Sequence, residues 1–213
     1  MYKDKTVIFI HIPKTGGTSL AEMIKKHYNP AEVQEVKFAS INTIKKINEN
    51  IKLVTGHHVF GHYQDTGPCV YVTMLRDPVE RLISQYYYDK YVLKIDGIAR
   101  YSLEEYAQLD YNVNLQTKYI AGGTVNVKQA ISNLKTFAFF GITEMFSESL
   151  VLMEKTFGWK NSPYSKINVN EKKPKIETIP KETIEKIEKA NFFDIQLYKW
   201  AKKHFEKRLR YNK

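Results

Sequence analysis

The sequence predicts an α/β fold, and three observations carry that reading. Two short, apolar, β-rich runs, at 7–10 and 69–75, each end in a proline-bearing turn that leads into a helical pattern. Further helical stretches follow, with apolar residues three and four apart. The two turns hold lysine, arginine, glycine and hydroxyl residues just past the strands, on the side where open α/β sheets bind ligands.

Length and composition set the bounds. At 213 residues the chain can bury a real core, and no repeat, low-complexity tract or composition shift divides it, so residues 1–213 read as a single domain. A hydrophobic share of 43% with 13% aromatics excludes disorder. No apolar run reaches the ~20 residues of a membrane helix, and the first strand starts too early for a secretory leader. Cys69 is the sole cysteine, which excludes an internal disulfide and predicts a reducing, cytoplasmic setting. It opens an apolar run and reads as core rather than nucleophile. The net charge of +10 predicts anionic partners. Part of the excess gathers at Lys172, Lys173, Lys175, Lys202, Lys203, Lys207, Arg208 and Arg210, as a solvated helical surface also would.

Val7 to Ile10 form the first predicted strand. After it, Lys14 supplies a mobile cation, and Gly16 and Gly17 let the backbone turn and approach a ligand. Thr18 or Ser19 can cap the next helix (Leu20, Met23, Ile24, His27), whose free N–H groups favour an anion. This is not the common nucleotide loop, because the lysine precedes both glycines. Ile41, Ile44, Ile47 and Ile51 suggest a short helix, and Leu53, Val54 and Thr55 a brief strand ended by Gly56.

His57, His58 and His62 follow. On the residues alone they fit a metal site, a structural loop or a general base at a strand end; no carboxylate in the cluster completes a ligand set.

Residues 69–75 form the clearest central strand. Asp77 as N-cap, Pro78 at the first helical position and Glu80 start the next helix. Arg76 is thereby held at the strand's C-terminal end, with Ser84 about two turns into the helix, and its guanidinium suits a phosphate.

Helices are expected from the capping box at Ser102, over 112–120 before Gly122 and Gly123, and over 126–134. A strand is expected at 137–142. Ser147 should cap a helix ended by Gly158. Residues 161–180 read as a loop, and 180–190 and 192–209 as terminal helices, the last with Ile195, Tyr198, Ala201 and Phe205 inward.

Residues 9–19 (Phe-Ile-His-Ile-Pro-Lys-Thr-Gly-Gly-Thr-Ser) resemble the 5′-phosphosulfate loop of sulfotransferases that use 3′-phosphoadenosine 5′-phosphosulfate (PAPS). Residues 75–86, from Leu75-Arg76-Asp77-Pro78 through Ser84, are similar to their 3′-phosphate element. Residues 56–61, 114–117 and 140–146 resemble further blocks of the carbohydrate branch related to heparan sulfate 2-O-sulfotransferases. The resemblance implies a P-loop-like three-layer fold, a central parallel sheet flanked by helices. It implies in-line transfer of a sulfuryl group from PAPS, which leaves as PAP, to a hydroxyl acceptor, a glycan, without a metal or nucleic acid. By the same resemblance Lys14 steadies the leaving oxygen. Thr15, Gly16, Gly17, Thr18 and Ser19 cradle the 5′ phosphosulfate, and Arg76 and Ser84 hold the 3′ phosphate. His57 best matches the base, with His58 and His62 as alternatives. The C-terminal quarter matches least.

The residues alone admit two rivals. A nucleotide-dependent kinase would want the usual lysine spacing and a metal-binding aspartate, for which Asp77 is the nearest candidate. A non-catalytic polyanion- or nucleic-acid-binding module would use the charge but leave His57 and the paired loops unexplained.

Overall fold

The structure, a computed structural model, describes residues 2, 4–36, 46–63, 67–159, 174 and 176–211. Its strands are β1 (Thr6–Ile10), β2 (Val33–Val36), β3 (Leu53–Gly56), β4 (Cys69–Leu75) and β5 (Phe139–Ile142). They form one parallel sheet in the order β2-β3-β1-β4-β5. Ile10 of β1 lies opposite Gly56 of β3 on one side and Thr73 of β4 on the other. From β1 the chain crosses to the edge strand β2, returns to β3 beside β1, and then passes to the other side for β4 and β5, so a topological switch point falls beside β1, where α/β sheets open a crevice.

The helices are α1 (Gly17–Lys25), α2 (Pro78–Tyr91), α3 (Leu103–Ala107), α4 (Leu115–Ile120), α5 (Val127–Thr136), α6 (Phe146–Phe157), α7 (Lys181–Ala190) and α8 (Phe192–Tyr211). All five residues of β1 are buried, as expected of a strand covered on both faces. Val7 and Phe9 join the main core with Leu20 and Ile24 of α1, Leu134 of α5, Leu152 of α6 and Phe205 of α8. Ile8 instead meets Val54 and Tyr63. The half-buried Cys69 packs against that second cluster, in keeping with a packing role. The α/β architecture with helices around a parallel sheet is the one the sequence predicts.

Local signals explain most element ends. Asp77 Oδ1 accepts from the amides of Val79 and Glu80 at 3.0 Å each and starts α2. Ser102 and Glu105 form the predicted capping box of α3. Asn126 caps α5, and Gly158, at φ 71°, ends α6.

Several expectations are corrected. The N-cap of α1 is Gly16, at φ 77°, with no side-chain cap, so neither Thr18 nor Ser19 caps it. β2 is an edge strand that the sequence reading missed. Ile41 and Ile44 lie outside the described residues, and 47–51 form a turn rather than a helix. Asn114 takes a left-handed conformation, φ 50°, so α4 starts at Leu115 and not at 112. A 3₁₀ turn, Thr143–Met145, runs into α6 and leaves Ser147 inside that helix. In α8 the inward stripe uses Asp194 and Leu197 in place of Ile195. Lys172, Lys173 and Lys175, with most of the 161–180 stretch, lie outside the described residues. Among the described residues no helix is long and apolar enough to cross a membrane.

His58 and His62 are buried, at 2% and 3% exposure, against Tyr63. Burial pushes the His58 imidazolium down to about 3, with His62 adding repulsion. The folded pKa lies below the unfolded one, so the unfolded chain takes up the proton first and stability is lost as pH falls below about 6.5. Urea unfolding should show a loss of about 1 kcal/mol from His58 between pH 7.5 and 5.5. His58→Gln should shrink the pH dependence by that amount. An unchanged pH dependence in that variant would contradict the assignment.

Candidate active site

The loop after β1 is shaped by backbone constraints. Lys14, at φ 65°, adopts a conformation that non-glycine residues rarely take. The Thr15 hydroxyl donates back to Ile12 O at 2.9 Å, so this buried side chain shapes the loop and Thr15 faces a ligand only through its backbone. Thr143 Oγ1 lies 2.6 Å from Thr15 O and 3.0 Å from Leu75 O, tying the loop to the end of β4. The two glycines have different jobs. Gly16 turns the chain in the left-handed region. Gly17 makes room: a Cβ there would lie 2.1 Å from the His11 ring. The first amides of α1 therefore meet no side-chain cap, the arrangement that receives anions. Thr18 is exposed beside them, and Ser19 is buried.

Arg76 follows the last residue of β4. Its backbone is clasped by one side chain: the Arg76 amide donates to Gln116 Oε1 at 3.0 Å, and Gln116 Nε2 donates to Arg76 O at 2.9 Å. The guanidinium donates to Lys14 O at 3.1 Å and to Glu80 Oε2 at 3.0 Å. Lys14 Nζ sits 3.4 Å from the centre of the Tyr88 ring, a cation–π contact. Burial, then repulsion from Arg76, pulls the Lys14 ammonium down to about 8. Lys14, Arg76 and the start of α1 thus converge. Ser84 is buried on α2, and among the described residues no hydrogen bond joins it to Arg76. Glu80 turns to Arg76 instead of completing a capping box.

The third component is a pair of histidines. His57 Nδ1 lies 2.7 Å from His11 O. A carbonyl only accepts, so Nδ1 carries the proton and the basic lone pair falls on Nε2. The rings of His11 and His57 stack at 4.6 Å. Burial lowers the pKa of His57, partly opposed by the bond to His11, and lowers His11 to about 3. Both are neutral at pH 7. They line a cavity of about 290 Å³ with Thr18, Lys25, Glu35 and Thr55. His58 and His62 point into the core instead, so His57 is the histidine of the three that meets a cavity. Among the described residues no group of three His, Cys, Asp or Glu side chains could hold a metal ion. A larger cavity, about 580 Å³ between α6 and α8, shares no lining residue with this site.

Sequence reasoning gave no role to His11, Tyr88, Thr143 or Asp194. His11 stands inside the recognised loop and Tyr88 three residues before the end of α2, but their contacts join distant parts of the chain.

Comparison with known proteins adds three findings. A model described as "Sulfotransferase family" matches residues 1–121. The chain is similar to human heparan-sulfate 6-O-sulfotransferase 3, 25% identical over 288 aligned positions covering 97% of this chain and 59% of that protein. It is also similar to chicken (Gallus gallus) heparan-sulfate 6-O-sulfotransferase 2, at 24% identity over 98% of this chain and 68% of the relative. The chain thus spans about three fifths of the length of the human relative. Mouse sulfotransferase SULT7A1, solved in complex with PAP, aligns at a TM-score of 0.46 and 12% identity, covering 76% of this chain and 61% of that one. The sequence blocks suggest a 2-O relation, whereas the relatives found are 6-O-sulfotransferases. With the family model matching 121 of 213 residues, the chain belongs to the sulfotransferase family.

Proposed function

We propose that this protein transfers a sulfuryl group from PAPS to a carbohydrate hydroxyl. The observation that carries the proposal is the convergence of Lys14, Arg76 and the uncapped start of α1 at the C-terminal ends of β1 and β4. Two cations brought this close repel each other, and an anion between them relieves that repulsion. Bound there, PAPS supplies an activated sulfuryl group and departs as PAP.

The chain's own residues divide the work. The amides of 16–19 and Lys14 receive the 5′ phosphosulfate, and Arg76, with Ser84 further along α2, receives the 3′ phosphate. Lys14 also stabilises the negative charge that grows on the leaving oxygen. Nε2 of His57 takes the proton of the acceptor hydroxyl, held in that tautomer by the His11 carbonyl. The cavity beside His57 and Thr18 admits the acceptor. The named relatives support a glycan acceptor and, more finely, a sugar 6-hydroxyl as the reacting group.

The direct test is incubation with PAPS and a panel of desulfated oligosaccharides, read by mass spectrometry. Sulfated product from wild type, reduced about a hundredfold or more in His57→Ala with PAP affinity nearly intact, is the expected outcome. No product with any glycan, and no PAP binding, would overturn the reading. The lowered pKa of His57 places the acid limb of the turnover profile below 6.5.

Lys14 makes a second pH prediction. Above about pH 8 the free protein loses the Lys14 proton, so PAP affinity should fall as pH rises from 8 to 9.5. Lys14→Arg, which does not titrate in that range, should hold its affinity constant. Parallel pH curves for the two proteins by calorimetry would contradict the role.

A further inference from the structure

We propose that α8 acts on the nucleotide site from a distance, with Asp194 and Tyr198 as positioning residues for the Arg76–Asp77 turn. This rests on the reading of Arg76 as the 3′-phosphate ligand.

Two chains of hydrogen bonds run from α8 to consecutive residues of that turn. In the first, fully buried Asp194 accepts from the backbone amides of Gln116, at 3.1 Å, and Thr117, at 2.7 Å. It thereby fixes the start of α4, and the Gln116 side chain holds both backbone polar groups of Arg76. In the second, the Tyr198 hydroxyl donates to Glu144 Oε2 at 2.8 Å, and Glu144 Oε1 accepts from the Asp77 amide at 3.0 Å. Asn114 closes the assembly from the other side: its Oδ1 accepts from the amides of Phe193 and Asp194 at the start of α8. The two helix starts therefore cap each other, which sets their register.

Stability alone does not call for this arrangement. Asp194 is fully buried, with its carboxyl pushed up by burial and opposed by the equally buried Arg81. Buried ionic groups of this kind contribute little net stability against apolar replacements, yet they fix geometry. What they fix here is the backbone from which the Arg76 guanidinium projects. That guanidinium has carboxylates within reach: Glu80 at 3.0 Å and Glu144 at 4.0 Å. Arg76 already bonds Glu80 and Lys14 O together, so a turn free to shift would let it trade the Lys14 loop for a closer contact with Glu144. A fixed turn keeps it beside the Lys14 loop. Asp194 and Tyr198 lie beyond residue 121, where the family model ends, so a segment outside that match holds part of the site in place.

The test compares PAP with AMP, which lacks the 3′ phosphate, by calorimetry on the full chain. In Tyr198→Phe the affinity for PAP should fall by about threefold to tenfold, the scale of one hydrogen bond, while AMP affinity stays level. Gln116→Leu should lose PAP affinity by a similar or larger factor with the same selectivity. Circular dichroism checks that each variant is folded at the assay temperature. A loss confined to PAP supports positioning of Arg76. Equal losses for PAP and AMP, or no loss in either folded variant, would overturn it. Wild type that binds neither nucleotide would overturn the proposed function itself. Asp194→Asn is the sharper variant but puts Arg81 at risk, so Tyr198→Phe decides the case if it fails to fold.

Discussion

The hydrogen bond from the Arg76 guanidinium to the Lys14 carbonyl joins two units that are 62 residues apart in sequence. Each unit is a parallel strand, a turn and a helix. β1 and β4 are neighbours in register, which sets the two turns side by side at the C-terminal end of the sheet. The left-handed conformation of Lys14 points its carbonyl at Arg76, and Thr143 ties the next carbonyl to the end of β4. With these bonds in place, the ammonium of Lys14, the guanidinium of Arg76 and the first amides of α1 share one crevice.

Magnitudes indicate which element dominates there. A helix N-terminus contributes about 0.3–1 kcal/mol to an exposed anion. A cation about 4 Å from a phosphate, at an effective dielectric near 20, contributes roughly 4 kcal/mol before desolvation is charged against it. On the proposed function, the lysine and arginine set the affinity for the anion, and the amides of α1 orient it. The overall charge of +10 adds long-range attraction but does not choose the ligand. On the other side of α1 the electrostatics differ. Lys25 is paired with Glu22 and Glu35 at 2.8 and 2.7 Å, and the two histidines are neutral. One flank of the loop is thus cationic and the other nearly balanced, which suits a site where a nucleotide anion meets a hydroxyl.

Much of this was legible in the sequence because its determinants are local. The glycine pair after β1, the Asp77-Pro78 helix start, the Ser102 capping box and Gly158 each act within a few residues. What escaped is long-range or contrary to local pattern. β2 is a polar edge strand, Val-Gln-Glu-Val, whose partner β3 lies some twenty residues on. The inward stripe of α8 was misread because its buried Asp194 looks like a surface residue until its bonds to α4 are seen, 77 and 78 residues away. His11 looked like part of a loop, and only the fold stacks it on His57. The choice among three histidines was likewise open in the sequence, since adjacency says nothing about which ring meets a cavity.

The central claim is that Arg76 recognises a second phosphate, separate from the group held by the Lys14 loop. Calorimetric titration of PAP and AMP into wild type and Arg76→Ala tests it most directly. Wild type should prefer PAP by about tenfold or more, the scale of a charge-assisted pair. In Arg76→Ala that preference should collapse, with AMP affinity changed by no more than about twofold. A variant that keeps the full preference for PAP would show that the 3′ phosphate is bound elsewhere and would contradict the account.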